Sequence, residues 1–182
     1  MPPEIVQWLQ NMSLATAIRE SAIVFPVILS LHLTGMGLFG GMILMTDLRL
    51  LGIALTKHPV SDIVNGLRPW KHLGLTLTAG CGILLLWSKA AIYYPNPYLR
   101  LKLVIFALII IHAVVFRGVY RHVADLDHTK AIPRRAKMAA VLSMVLWISV
   151  LSAGRWIGYW EPKGGPAAAD RVVLQLDADA SR

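Results

Sequence analysis

The sequence is poor in cysteine and in charged residues. Its 182 residues include one cysteine, Cys81, which excludes an internal disulfide and any cysteine cluster for iron–sulfur or structural zinc. Only 15% of the residues are charged, whereas 56% are hydrophobic, so much of the apolar surface must face lipid instead of water. The composition therefore predicts an integral membrane protein.

Signatures of several soluble functions are also missing. The net charge of +8 does not indicate nucleic-acid binding, because the basic residues lie between apolar segments instead of forming a stripe with aromatics. Gly35, Gly37 and Gly40 match a dinucleotide-binding fingerprint, but they lie in the middle of an apolar run and follow no strand. The glycines instead favour helix packing, and Gly37 and Gly41 are expected to let a neighbouring helix approach closely.

Four long apolar stretches predict an all-α fold, an integral membrane four-helix up-down bundle. They lie near residues 22–45, 73–93, 99–119 and 138–158, and each has roughly the 20 residues that cross ~30 Å of hydrocarbon. A short N-terminal interfacial helix is expected over 3–15, where Ile5, Trp8, Leu9 and Met12 form one apolar stripe. Residues 1–160 then form one transmembrane domain, and residues 161–182 are expected to be a disordered tail.

The basic residues predict the orientation in the membrane. Two loops, after the first and after the third apolar stretch, share one side of the bundle and contain ten of the eighteen lysines and arginines. They are Arg49, Lys57, Arg68, Lys71, Arg117, Arg121, Lys130, Arg134, Arg135 and Lys137. The positive-inside rule places this side in the cytoplasm and both termini on the opposite side of the membrane.

Histidines within the apolar stretches are the candidate functional residues. His32 lies near the middle of the first stretch and His112 lies in the third, and these two helices face each other diagonally in an up-down bundle. Two facing imidazoles could be the axial ligands of one haem b iron, which makes His32 and His112 candidate metal ligands. The alternative is that each imidazole only forms a hydrogen bond to a neighbouring helix.

Further candidate cofactor-binding residues lie at the cytoplasmic edge. His72 and His122 have similar predicted depths and could hold a second haem, although interfacial histidines are often only solvated polar tips. Arg49, beside Asp47, either anchors the helix end or contacts a haem propionate or quinone headgroup. Copper is also conceivable, because the thioethers of Met36 and nearby methionines are soft ligands.

Several local strings resemble a known family. They are Phe25-Pro26 followed by His32, Asp47-Leu-Arg49-Leu-Leu-Gly52, Arg68-Pro69-Trp70, and Asn96-Pro97 followed by Arg100 and Lys102. In this order they resemble a family of uncharacterised four-helix bacterial inner-membrane proteins, one of the numbered domains of unknown function. That resemblance implies a bacterial inner membrane and four spans, so both termini would lie in the periplasm, and it brings no agreed activity. The plan is more loosely similar to cytochrome b561-type and CopD-like membrane domains, although His112 stands where the family would have asparagine.

The leading functional hypothesis is a b-type cytochrome-like electron-transfer subunit, an oxidoreductase component that passes electrons between a quinone and an external redox partner. His32 and His112 would be the ligands, with His72 and His122 as the second pair. The rival hypotheses are a non-enzymatic membrane transporter, with copper as a conceivable cargo, and a structural accessory subunit whose polar core residues only specify helix packing.

Overall fold

The computed structural model describes residues 2–128 and 131–160, and this part of the chain contains helices and no strand. The helices are α1 Glu4–Gln10, α2 Ser13–Glu20, α3 Val24–Leu51, α4 Val60–Gly66, α5 Arg68–Ser88, α6 Ala90–Tyr93, α7 Pro97–Val115, α8 Arg117–Arg121, α9 Val123–Asp127 and α10 Arg134–Ile157. The predicted tail, residues 161–182, lies outside the described residues. The all-α class is confirmed for the residues that the structure describes.

Three helices, α3, α7 and α10, are long and apolar enough to cross a membrane, which is consistent with a membrane protein. They coincide with the first, third and fourth apolar stretches of the sequence. The second stretch overlaps α5, which has 21 residues but is not among these candidate spans. Its basic first turn and its glycines and threonines leave it without an 18-residue stretch as apolar as those in the three candidate spans.

Local sequence signals account for the ends of the long helices. α3 continues six residues beyond its predicted end and stops at Gly52, whose φ of +76° is a left-handed conformation that glycine adopts without a Cβ clash. α7 begins at Pro97, after Asn96, whose side-chain oxygen accepts hydrogen bonds from the backbone N–H groups of Tyr98 and Leu99 at 2.9 and 3.3 Å. Pro97 suits the first helical position because its missing N–H would be unpaired there.

The N-terminal segment forms two short helices instead of the single predicted one. α1 and α2 are separated at Asn11 and Met12, and Ile5 and Trp8 of the predicted stripe are 66% and 61% exposed. The indole N–H of Trp87 donates to the carbonyl oxygen of Leu9 at 2.8 Å, which fastens α1 to the end of α5. The apolar stripe therefore points away from the helices, as an interfacial segment requires.

Helices α3 and α5 are antiparallel neighbours along most of their length. Near one end, the Lys89 ammonium lies 4.0 Å from the centre of the Phe25 ring, just beyond the last residue of α5. Near the other end, Lys71 donates a hydrogen bond to the Thr46 hydroxyl at 3.3 Å. Between these contacts, the backbones approach closely at Gly74, where an added Cβ would lie 2.7 Å from the nitrogen of Phe39.

The other extensive contacts join α3 to α10 and α10 to α7. Gly35 faces α5 and Gly40 faces Trp147 of α10, and a Cβ at either position would collide with its neighbour. The prediction for Gly37 and Gly41 was wrong, because nothing lies within 4 Å of a Cβ at either position. α5 and α10 pack on different faces of α3, and each of them requires a glycine on its own face. A motif that places two small residues on a single face of α3 therefore selects the wrong pair of glycines.

Candidate functional site

A cavity lies between α5 and the α7–α8 segment, at the end of the bundle where the basic loops are. Its volume is about 540 Å³, and α3 contributes Phe39 to its lining. The basic lining residues are Arg68, Lys71 and His72 of α5 with Arg117 and Arg121 of α8. Apolar side chains and one phenol complete the wall: Phe39, Val64, Leu75, Ala113 and Tyr120. The cavity thus combines a cationic rim with an apolar interior.

Helical spacing explains why the basic groups converge. Arg68, Lys71 and His72 are three and four residues apart, so they share one face of α5. Arg117 and Arg121 are four residues apart and share one face of α8. The cavity exists because α3 contacts α5 and α10, and α10 contacts α7, while no comparably extensive contact brings α5 and α7 together within the described chain.

A buried carboxylate lies beside this cavity. Asp47 of α3 is 1% exposed, and its Oδ2 atom has no hydrogen-bond partner among the described residues. The Ser143 hydroxyl of α10 forms a hydrogen bond to the carboxylate, and the carboxylate interacts electrostatically with Lys71 of α5 and Tyr120 of α8. Burial raises the pKa of the Tyr120 phenol, and the negative charge of Asp47 adds to that effect. The cavity wall therefore contains cationic side chains, and the buried Asp47 carboxylate lies behind that wall.

His32 is 9% exposed and is fixed by α5. Its Nδ1 lies 2.8 Å from the carbonyl oxygen of Thr78, and because a carbonyl only accepts, Nδ1 donates the hydrogen and Nε2 keeps its lone pair. Its ring packs against Gly82, where an added Cβ would lie 3.0 Å from the ring. Lys102 of α7 also faces the ring, and Lys102 lies against Gly154 of α10.

His112 is 8% exposed and is fixed by α10, not by α3. Its Nε2 lies 2.9 Å from the carbonyl oxygen of Ala139, so Nε2 donates and Nδ1 keeps the lone pair. Its ring also lies 4.9 Å from that of Phe116. A small void of about 20 Å³ adjoins His112, and Ile43 and Ser143 line it with other side chains. Such a void is large enough for one water molecule.

The two intramembrane histidines are not brought together. His112 is level with Ile43 of α3, and His32 precedes Ile43 by eleven residues, which is ~16 Å along a helix. Both rings would have to reach one iron for shared axial ligation. In this arrangement the two rings are too far apart along the helices to ligate one iron. A haem shared by His32 and His112 would need α3 and α7 to shift along each other, and it stays a prediction.

The remaining candidate residues are separated as well. His72 lines the cavity, whereas His122 is exposed and its Nδ1 donates to the carbonyl oxygen of Gly118 in its own helix at 3.1 Å. Arg49 donates to the carbonyl oxygen of His58 at 2.8 Å, so it fastens the loop after α3 and does not line the cavity. No group of three or more histidine, cysteine or acidic side chains suited to a metal occurs among the described residues.

Sequence reasoning missed the cavity although it named most of its basic residues. The sequence suggested that the basic residues are topology signals, and residues with that role do not need to lie at one site. These residues are Arg68, Lys71, Arg117 and Arg121. The sequence signal for a shared site was the helical spacing of the basic residues, which is i, i+3 and i+4 on α5 and i, i+4 on α8. That signal does not show that the two faces point toward each other, because they are separated by more than forty residues.

Chemically, the arrangement is suited to binding an anion. Arginine supplies planar, permanently charged groups that can donate two hydrogen bonds to one phosphate or carboxylate, and Lys71 adds a point charge. The apolar interior can hold part of an acyl chain.

Comparison with known proteins gives one match. Neither the curated proteins nor the solved structures contain a match to this chain, so the likeness to cytochrome b561-type and CopD-like domains stays a prediction. Residues 13–160 match a numbered family of unknown function, which confirms that part of the resemblance, whereas the four spans and the bacterial inner membrane that the resemblance implies stay predictions. The chain belongs to the family of unknown function DUF6644.

Proposed function

We propose that the chain is a four-span inner-membrane subunit that binds an anionic membrane lipid by its phosphate headgroup. The observation that carries this proposal is the cavity of about 540 Å³, which joins five basic side chains to an apolar interior. Basic pockets between membrane helices on the cytoplasmic side are suited to anionic headgroups. This function is a form of the non-enzymatic accessory role.

The composition of the cavity favours a lipid over a free ion or a neutral headgroup. A free phosphate would use the rim but not Phe39, Leu75 and Ala113. A quinone headgroup is uncharged and needs few cations. The lipid-facing surface next to the cavity is apolar, since Ile111 and Val114 of α7 are more than half exposed. Acyl chains can therefore leave the cavity along α7 while the headgroup stays at the rim.

Four spans are supported by the path of α5. The contacts at Phe25 and at Thr46 lie at opposite ends of α3, 21 residues apart, and both are made by the segment from Lys71 to Lys89. At 1.5 Å per residue this distance is ~30 Å, about the thickness of the hydrocarbon layer. α5 thus accompanies a candidate span across the whole layer. The positive-inside rule then puts the cavity on the cytoplasmic side and both termini in the periplasm.

Lipid binding can be tested on the purified full-length protein in a neutral detergent. Short-chain phosphatidylglycerol is titrated into wild-type protein and into an Arg68→Gln, Arg121→Gln double variant, and binding is measured by calorimetry. We expect saturable binding by the wild type and a loss of at least tenfold in affinity for the variant. Arg134→Gln is the control, because it removes a charge near the same membrane surface but outside the cavity lining. Equal affinities for all three proteins would refute the proposal.

One observation favours the b-type cytochrome as a second candidate. Nδ1 of His32 is bound to the Thr78 carbonyl oxygen, and such bonds commonly orient imidazoles that ligate a metal through the other nitrogen. Protein purified from cells with ample haem would then show a Soret band that His32→Ala abolishes. A colourless, folded wild-type protein would exclude this candidate.

A further inference from the structure

The buried acid beside the lipid-binding cavity has no role in holding an anion. Asp47 is 1% exposed, and one of its carboxylate oxygens has no hydrogen-bond partner among the described residues. A buried polar atom without a partner weakens the fold, so its presence calls for a physical reason. Its position next to Lys71, a cation that lines the cavity, indicates that reason.

Lys71 is shared between the buried acid and the cavity. The Lys71 ammonium lies 3.3 Å from the hydroxyl of Thr46, which is the residue before Asp47. No carboxylate oxygen lies within 4 Å of this ammonium among the described residues. The opposite charges of Lys71 and Asp47 nevertheless attract each other, and Arg68 repels Lys71 from the same helix face. A headgroup anion drawn to Lys71 from the cavity therefore approaches the negative charge of Asp47.

The other groups around Asp47 do not remove that repulsion. Tyr120 of α8 faces the carboxylate, and burial keeps its phenol uncharged because it raises the phenol pKa. The Ser143 hydroxyl of α10 donates a hydrogen bond to the carboxylate, which favours its charged form but adds no positive charge, and His112 of α7 lies across the small void that Ser143 lines. Two like charges close together in a partly desolvated site repel each other more strongly than they would in water.

We infer that the cavity binds an anionic lipid headgroup together with one proton, which Asp47 takes up. The inference rests on the proposed lipid-binding function and names its regulation. The proton comes from solvent through the open side of the cavity and neutralises the carboxylate, so Lys71 is left to pair with the headgroup phosphate. By linkage, affinity for the lipid falls as the pH rises, by about tenfold per pH unit at most for one proton.

Calorimetry in two buffers measures this proton directly. Short-chain phosphatidylglycerol is a suitable probe, because its phosphodiester carries one fixed negative charge near neutral pH. The full-length protein in neutral detergent is titrated in two buffers, HEPES and Tris, whose ionisation enthalpies differ. The dependence of the binding enthalpy on the buffer gives the number of protons taken up. We expect a net uptake of up to one proton per lipid for wild type and none for Asp47→Asn, with binding retained.

Two control variants assign the proton to its site. Asp62→Asn removes an exposed carboxylate of α4 and should leave the uptake unchanged. His72→Asn removes the imidazole at the cavity rim, so it should weaken lipid binding but leave the number of protons taken up per bound lipid unchanged; loss of the uptake in this variant would overturn the assignment to Asp47. Asp47→Glu keeps a carboxylic acid and should keep the uptake, which serves as a second variant if Asp47→Asn does not fold.

The outcomes separate this inference from the proposed function. Wild-type protein that binds the lipid with no proton uptake in either buffer would overturn proton coupling while leaving lipid binding intact. Wild-type protein that gives no heat of binding would refute lipid binding itself. Uptake that persists in Asp47→Asn would show that another group takes the proton.

Discussion

The indole of Trp147 in α10 covers the backbone of Gly40 in α3, and it occupies the space that any side chain at residue 40 would need. The same indole meets the ring of Phe39 edge-on, with the ring centres 5.2 Å apart and the planes at 84°. This geometry is favourable for two aromatic rings. α3 and α10 are therefore held together by a large side chain inserted over a residue that has none.

Replacing Gly40 should weaken the fold. In Gly40→Ala the new methyl group would overlap the Trp147 ring, so the indole must move, and such overpacking costs about 1–3 kcal/mol of unfolding free energy. The matched control is Gly41→Ala, which adds the same methyl group where nothing lies within 4 Å. Thermal unfolding in detergent should show a lower midpoint for the first variant only. A Gly40→Ala protein as stable as the control would contradict the described α3–α10 contact.

The positions of the apolar helices could be predicted from the sequence, whereas the rotation of each helix could not. The thickness of a bilayer fixes how many apolar residues a span needs, so the stretches that became α3, α7 and α10 were visible. The packing of α5 and α10 on different faces of α3 decides which glycines of α3 face a neighbour. These glycines are Gly35 and Gly40, and not Gly37 and Gly41 as the sequence predicted.

The partners of the histidines were not predictable for a related reason. His32 and His112 donate to the backbone carbonyls of Thr78 and Ala139, and a carbonyl is present at every residue, so the sequence contains no mark of the acceptor. The cavity was hidden because Arg68 and Arg121 lie in separate helices that only the complete fold brings to one site.

The contact between α4 and α9 should lose stability in acid, because it depends on the charged carboxylate of Asp127. One of its carboxylate oxygens accepts hydrogen bonds from the backbone N–H groups of Val60 and Ser61, at 2.5 and 3.3 Å, at the start of α4. The Ser61 side chain, followed by these backbone groups, lowers the pKa of the Asp127 carboxyl. The folded state therefore gains stability above the ordinary pKa of 3.8, and this gain is lost as the pH falls through the lowered folded value.

Asp127→Asn is the corresponding variant, because the amide keeps one acceptor but has no charge. We expect it to be less stable than wild type at neutral pH and to lose less stability on acidification through the same range. Asp125→Asn, two residues earlier in α9, is the control. Thermal unfolding midpoints at several pH values provide the measurement, and parallel pH profiles for wild type and Asp127→Asn would contradict the assignment.

The topology proposal can be checked with reporter fusions. Four spans put the loop after α3 and the C-terminal segment on opposite sides of the membrane, whereas three spans, without α5, put them on the same side. Reporters active in only one compartment are fused within residues 56–62 and at residue 165. We expect a cytoplasmic signal from the first and a periplasmic signal from the second. Signals from one compartment for both fusions would show that α5 does not cross.

The lipid site itself is tested most directly by filling it. Ala113 belongs to the apolar part of the cavity lining, so Ala113→Trp should fill the space of the acyl chain and exclude the lipid, whereas Ala107→Trp places the same indole on an exposed part of α7 outside the lining. Each protein is released from membranes that contain equal amounts of phosphatidylglycerol and phosphatidylcholine, and native mass spectrometry counts the retained lipids. We expect wild type and Ala107→Trp to retain one phosphatidylglycerol and Ala113→Trp to retain none. Equal retention by Ala113→Trp, or no preference for phosphatidylglycerol in wild type, would contradict a headgroup site in this cavity.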